Sequence, residues 1–260
     1  MIRSISSSLT RRATAATLVA GLAVFSTAET RATTLYSSPL TAPPLNSGNL
    51  VGQNGWVAHS GTANQIQVGA AGTTLAQGSG SREDANVPLT PIAAGQTYYF
   101  GLDVVVTGGN TSVYFAHFKD AGTGTDFTTR TFVTPFVGSD FTFGLSAAGS
   151  APDVTWATGL TFGETYRVVG SYTADTRLTR LWVDPVDELS TSISFTDPAA
   201  AAVAAFAFRQ ASGNSTQVVS NLAVGTTFTA VVPEPSTVVL AAAGVGLAGL
   251  AARRRLRVRA

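Results

Sequence analysis

The chain has 260 residues, a formal net charge of +1, two histidines and no cysteine. Disulfides and thiol chemistry are excluded, and two histidines without cysteine make a poor zinc set. The charge is unevenly placed: Arg3, Arg11, Arg12, Arg31, Arg253, Arg254, Arg255, Arg257 and Arg259 sit at the two ends, while residues 33–230 hold 7 basic and 13 acidic residues, a net charge of −6, with no basic patch suited to nucleic acid.

Residues 1–28 read as a secretory signal peptide. Arg3, Arg11 and Arg12 form a basic head, Ala13 to Phe25 a short apolar run, and Ser26-Thr27-Ala28 a small-residue exit before Glu29. A body of about 198 residues follows, long enough to bury one core. Thr33 to Asn49 is rich in proline and serine and is expected to wrap an edge. Beyond it, alternation between Gly, Asn, Asp and Pro punctuation predicts strands. Thr97 to Thr107 puts Tyr98, Phe100, Leu102, Val104 and Val106 on one face, and Gly108-Gly109-Asn110 reads as a hairpin link to a strand over 112–118. Residues 130–134 and 141–145 flank Pro135 to Asp140, with Phe141, Phe143 and Leu145 inward. Thr165 to Thr173 turns at Ala174-Asp175 and returns over 177–184. Residues 203–209 and 217–224 close the set, and a helical turn is expected in the alanine run 199–205. Ten to twelve strands without intervening helices predict an all-β, antiparallel two-sheet sandwich.

The C-terminal tail has three parts: Val232-Pro233-Glu234-Pro235-Ser236, an uncharged run over 237–252, and Arg253, Arg254, Arg255 with two further arginines. The run would make about 24 Å of helix, a minimal transmembrane span. The arginines act as a membrane stop and hold the C-terminus inside. Pro233 and Pro235 keep the motif extended before the membrane.

In this three-part order, residues 232–260 resemble the PEP-CTERM protein-sorting domain. The resemblance implies a Gram-negative-type bacterium, export, and an exosortase partner that removes the tail after transient residence in the inner membrane. It also implies placement in the cell envelope, extracellular polysaccharide or matrix. The segments Val113-Tyr-Phe-Ala-His-Phe118, Phe143-Gly-Leu-Ser146, Thr161 to Val169, Leu181-Trp-Val-Asp-Pro185 and Phe208-Arg-Gln210 resemble a concanavalin A-like (LamG-type) jelly roll covering residues 33–230. That resemblance implies a curved sheet able to bind glycans.

Candidate chemistry in the body is sparse. A retaining glycosidase needs two carboxylates about 5–5.5 Å apart, and the acid pairs Glu83-Asp84 and Asp184/Asp187/Glu188 read as solvated turns. Asp120 to Asp126 has too few acids for calcium and reads as a loop. His117 alternates with Val113 and Phe115 and reads as a packed sheet histidine. Of Trp56, Trp156 and Trp182, which could stack on sugars, Trp56 has the best prospect of exposure, although core packing is favoured for it and for Trp182. Arg209 and Gln210 suit internal hydrogen bonds to loops. No Gly-x-Ser-x-Gly elbow is present. The expectation is a non-enzymatic exported protein with no cofactor, metal or catalytic residue, whose partners are exosortase, the membrane and a polysaccharide. The alternatives are a glycoside hydrolase or lyase, and a purely structural matrix protein.

Overall fold

Alternation of aromatic and β-branched residues dominates the body, and strands are what form. The computed structural model describes residues 33–147 and 149–232. The expected signal peptide over 1–28, the helix over 237–252, Pro233 to Ser236 of the motif and the arginine stop Arg253, Arg254 and Arg255 lie outside the described residues. Among those described, no helix is long and apolar enough to cross a membrane.

In chain order the strands are β1 (Thr34–Ser38), β2 (Gly48–Asn49), β3 (Val57–Ser60), β4 (Gln67–Val68), β5 (Thr73–Ala76), β6 (Asp84–Pro88), β7 (Thr97–Thr107) and β8 (Val113–Lys119). They continue with β9 (Phe127–Pro135), β10 (Phe141–Ser146), β11 (Val154–Thr155), β12 (Thr165–Thr173), β13 (Leu178–Val183), β14 (Ile193–Thr196), β15 (Ala205–Phe208) and β16 (Thr216–Gly225). One sheet runs β14-β13-β12-β7-β16-β5-β4-β2, with β1 also on β16; the other runs β11-β10-β9-β8-β15-β6-β3. Every strand pairing is antiparallel, so the expected all-β two-sheet sandwich is observed.

The core lies between the sheets. Phe100, Leu102, Val104, Val106, Val168 and Tyr172 of the nine-stranded sheet meet Phe115, Phe118, Phe141, Phe143, Phe206 and Phe208 of the seven-stranded one. Each fully buried side chain of this size contributes about 1.5–3 kcal/mol. Trp56 belongs to this core: it is 1% exposed, stacks on Phe208 at 5.0 Å, and donates from Nε1 to Tyr36 Oη at 2.8 Å.

Three local expectations are corrected and one is extended. Gly108-Gly109-Asn110 is a crossover between sheets, because β7 already pairs with β12 and β16 while β8 pairs with β9 and β15. No strand edge remained free for a hairpin; instead Asn110 is tied to Asn214, through its backbone N at 3.0 Å and its side chain at 2.7 Å. The alanine run forms no helix. Asp197 Oδ1, Tyr172 Oη and Asp126 Oδ2 take the N–H groups of Ala199, Ala201 and Ala202, so local partners replace helical ones. Residues 34–38 do more than wrap an edge: they extend it, pairing as β1 with the second half of β16, while Gly48–Asn49 pairs as β2 with β4 at the end of the sheet order. Glu83 is no solvated turn acid: it is 4% exposed and accepts hydrogen bonds from Ile66 N and Asn49 Nδ2.

A second, smaller cluster lies on the outer face of the nine-stranded sheet. Tyr99, Val169 and Trp182 are covered there by Phe228, Val231 and Val232. Trp182 is therefore packed, as expected, but outside the main core. Gly101 makes this possible, since a Cβ there would stand 2.5 Å from Val231 O. Arg167 clamps the segment by donating from Nη2 to that carbonyl, while its Nη1 meets Asp103 at 3.1 Å. A polar cleft of about 440 Å³ opens beside the clamp, lined by Ser37, Asp103, Arg167 and Asn221 among others.

Candidate functional site

The outer face of the seven-stranded sheet is the more unusual surface. A sheet face turned from the core is ordinarily polar and wet, yet β8 is buried along its whole length. Register explains what stands there. Asn86 of β6 pairs with Ala207 of β15, which pairs with His117 of β8, so the three form one row across adjacent strands. Their neighbours Ala85, Val87, Phe206, Phe208, Ala116 and Phe118 all point into the core, which sets this row outward. At about 4.8 Å per strand, Asn86 and His117 stand about 10 Å apart with only a methyl group between them.

A second row carries Tyr114 and Phe132, which are paired in register, with ring centroids 5.4 Å apart. Tyr114 and His117 share the outer face although they are three residues apart, because the β8–β9 register shifts twice, between Tyr114 and Ala116 and between Ala116 and Phe118. The expected alternation of His117 with Phe115 is thereby corrected: Phe115 faces the core and His117 faces out.

Four partly exposed side chains close over this floor. His59 and His117, far apart in sequence, both contact the Phe127 ring edge-on, at 5.7 and 4.7 Å. Arg209 lies over the Tyr114 ring at 4.2 Å and Arg130 at 5.1 Å. Arg130 also donates from Nη1 to Gly149 O at 2.7 Å. Arg209 is thus a surface cation on an aromatic ring, whereas its neighbour Gln210 is the internal tie that was expected, bonded to Asn64 O, Glu83 O and Ala76 N.

The floor beneath holds polar atoms without protein partners. Asn86 is 1% exposed and His117 2% exposed, yet Asn86 Oδ1 and Nδ2 and both ring nitrogens of His117 have none. Burial, reinforced by Arg130, Arg209, His59 and Lys119, pushes His117 well below the usual 6.5, so the imidazole is neutral at physiological pH. Burial also raises Asp84, despite the hydrogen bonds its carboxylate accepts from Gln210 N and Ser60 Oγ. Asp84 is the single acid on the strands of this sheet.

The other sequence candidates disperse. Asp184 Oδ1 accepts from Arg167 N, and Glu188 from Tyr99 Oη, both in an exposed turn. Asp120 pairs with Lys119 at 3.4 Å and Asp126 caps Ala202 N, so the loop acids serve the loop. Among the described residues no group of three metal-ligating side chains gathers. Trp156 is half-buried and outside the aromatic cluster. Of the sorting motif, Val232 is described, 8% exposed against the nine-stranded sheet. Asn86 and Arg130 carried no motif in the sequence, and Tyr114 stood there as part of the jelly-roll segment 113–118; the one further signal was the apolar and aromatic richness of β8, too great for a strand with a wet face.

Fold and face together define a β-sandwich with a cluster of aromatic and cationic side chains on the outer face of one sheet. The tail is more specific: the family model described as the PEP-CTERM protein-sorting motif matches residues 231–255. Such a motif indicates export and sorting to the cell envelope and implies, in general, exosortase processing. The match begins inside the folded body, since Val231 is 1% exposed. No curated protein matches the chain. Among solved structures, it resembles the carbohydrate-binding module CBM66 from Bacillus subtilis, with 14% identity, 67% of this chain and 97% of that one covered, and a TM-score of 0.41. It resembles arcelin-5, a lectin-like defence protein from Phaseolus vulgaris, at 10% identity, covering 76% and 99%, with a TM-score of 0.42. An alginate lyase from Corynebacterium sp. is similar at 12% identity, covering 63% and 81%, with a TM-score of 0.45. Similarity at this level transfers no function to the chain.

Proposed function

We propose that this protein is a non-enzymatic glycan-binding component of the cell envelope or extracellular matrix, and that the glycan lies on the outer face of the seven-stranded sheet. One observation carries the reading: Asn86 and His117, almost fully buried, present four polar atoms without protein partners on a floor edged by Tyr114 and Phe127. Buried polar groups in native proteins are nearly always bonded, and sugar hydroxyls supply both donors and acceptors. Aromatic rings beside them suit the apolar faces of sugar rings. The signal peptide over 1–28 takes the body across the inner membrane, and the tail holds it there through residues 237–252 until an exosortase cuts near Pro233 to Ser236.

A glycan array followed by calorimetry tests the reading. The wild-type protein is expected to bind at least one polysaccharide, and Tyr114→Ala to weaken that binding at least about tenfold, the loss of one aromatic contact and its bonded neighbours. Absence of binding to every glycan, including the host's own matrix, overturns it. Lyase chemistry is the second reading, favoured by the neutral His117 beside Tyr114, rings 5.4 Å apart, a pair able to move a proton. Release of unsaturated sugar products, read by their ultraviolet absorbance, would favour that second reading. A retaining hydrolase has less support, because Asp84 has no second strand carboxylate on this sheet beside it.

A further inference from the structure

We propose that the groove selects an acidic glycan, the oxyanion of a uronate or sulfated sugar being received by the guanidiniums of Arg209 and Arg130 above the Asn86–Ala207–His117 floor. This rests on the glycan-binding reading and narrows its ligand. The argument begins with charge. The body carries 13 acids against 7 bases, so two arginines over one aromatic ring are a local reversal of its field. Asp84 attracts Arg209, and Asp126 and Asp197 attract Arg130, but the Asp84 carboxylate already accepts from Gln210 N at 2.8 Å and Ser60 Oγ at 2.9 Å. Lys119 is turned away, donating to the carbonyls of Asp120 and Gly122.

Among the described residues no carboxylate comes within 4.0 Å of the Arg209 guanidinium, which lies over the Tyr114 ring. Arg130 stands over the same ring, and each cation makes the other less favourable. An anion between them relieves that repulsion. The Arg209 guanidinium suits it, because a planar fork meets carboxylate or sulfate oxygens two at a time, while Arg130, held by Gly149 O, adds its charge. Ala207 keeps the floor low where a larger side chain would fill it, and the Asn86 amide and one His117 ring N–H add donors from below.

The test uses the full-length chain in mild detergent and three probes: a polyuronate, the same polymer after carboxyl reduction, and a sulfated galactan. The polyuronate and the galactan separate the two oxyanions, and binding to either supports the proposal if the reduced polymer binds at least about tenfold more weakly, the discrimination expected of a charge-assisted pair. Arg209→Gln and Arg130→Gln are expected to remove that preference, and Ala207→Leu to weaken binding of all three probes. Equal binding of the polyuronate and its reduced form overturns the acidic-glycan inference while leaving the glycan reading in place. Binding of none of these and of no glycan on the array overturns both. Because the comparison of polymers needs only the wild-type chain, a variant that fails to fold leaves the proposal exposed to refutation.

Discussion

Replacing Asn86 by leucine should make the protein more stable and less able to bind. The side chain is 1% exposed, and neither amide atom has a protein partner. Leaving a buried polar group unbonded costs about 1–3 kcal/mol, and leucine has nearly the same shape without that debt. Its branch would lie against Ala207 and Val57, the neighbours set by register. A net gain of about 2 kcal/mol is expected. For a domain of this size that is a rise in melting temperature of about 4–8 °C. Urea denaturation gives the free energy directly, with an unchanged m-value showing that the unfolded state is the same. The same variant should lose glycan binding by at least about tenfold, since its floor no longer offers the amide donor and acceptor. A fall in stability would refute the reasoning: it would mean that the Asn86 amide is bonded and holds the fold together. A rise in stability with unaltered binding would move the glycan off this face.

Four further outcomes follow from other parts of the molecule. His117 is held neutral in the folded state while its unfolded counterpart titrates near 6.5, so below that pH the unfolded chain binds more protons and stability falls; His117→Gln should flatten the decline between about pH 7 and pH 5.5 in parallel urea titrations. Phe228→Ala removes a ring 5.2 Å from Trp182 and 6.0 Å from Tyr99 and should cost about 3 kcal/mol, measured by the same titration. Gly101→Ala drives a methyl group into the Val231 carbonyl and the Arg167 guanidinium and should cost about 1–3 kcal/mol, with the segment after β16 becoming sensitive to elastase. Intact-mass measurement of the protein from its host should end between Pro233 and Ser236; a mass retaining Arg253 to Arg259 would make the tail a permanent anchor.

Much of the fold was legible because strand alternation has one physical meaning. Tyr98, Phe100, Leu102, Val104 and Val106 face one way in any strand, and they reach the core as expected. The hairpins around Pro135 to Asp140 and Ala174-Asp175 were equally local, each turn joining strands that do pair. Partnership between distant strands was not legible. Nothing near Gly108-Gly109-Asn110 reports that both edges of β7 are taken by β12 and β16. The groove was hidden for a related reason. Tyr114 and His117 share a face only because β8 slips register against β9, and a strand's own sequence does not show where its partner forces a bulge. Asn86 and Arg130 lie on different strands, and only the assembled sheet brings them to one side.

The two outer faces of the sandwich answer the same problem in different ways. Each carries aromatic residues that a wet sheet face would not need. On the nine-stranded sheet the chain itself covers them: Phe228, Val231 and Val232 fold back over Tyr99 and Trp182, and Arg167 fixes the cover by its carbonyl. What remains unbonded there is a single N–H on each of Arg167, Arg180 and Trp182. On the seven-stranded sheet the cover is only side chains, and Asn86 and His117 lack every partner they could have. A fold selected for stability alone would fill those two positions with apolar residues, as Val169 fills its place under the strap. Conversely, the strap ends where the sorting-motif match begins, so the sealed face fastens the body to its delivery tail. That division leaves the seven-stranded face as the surface whose floor holds polar atoms without protein partners, the feature on which the proposed glycan binding rests.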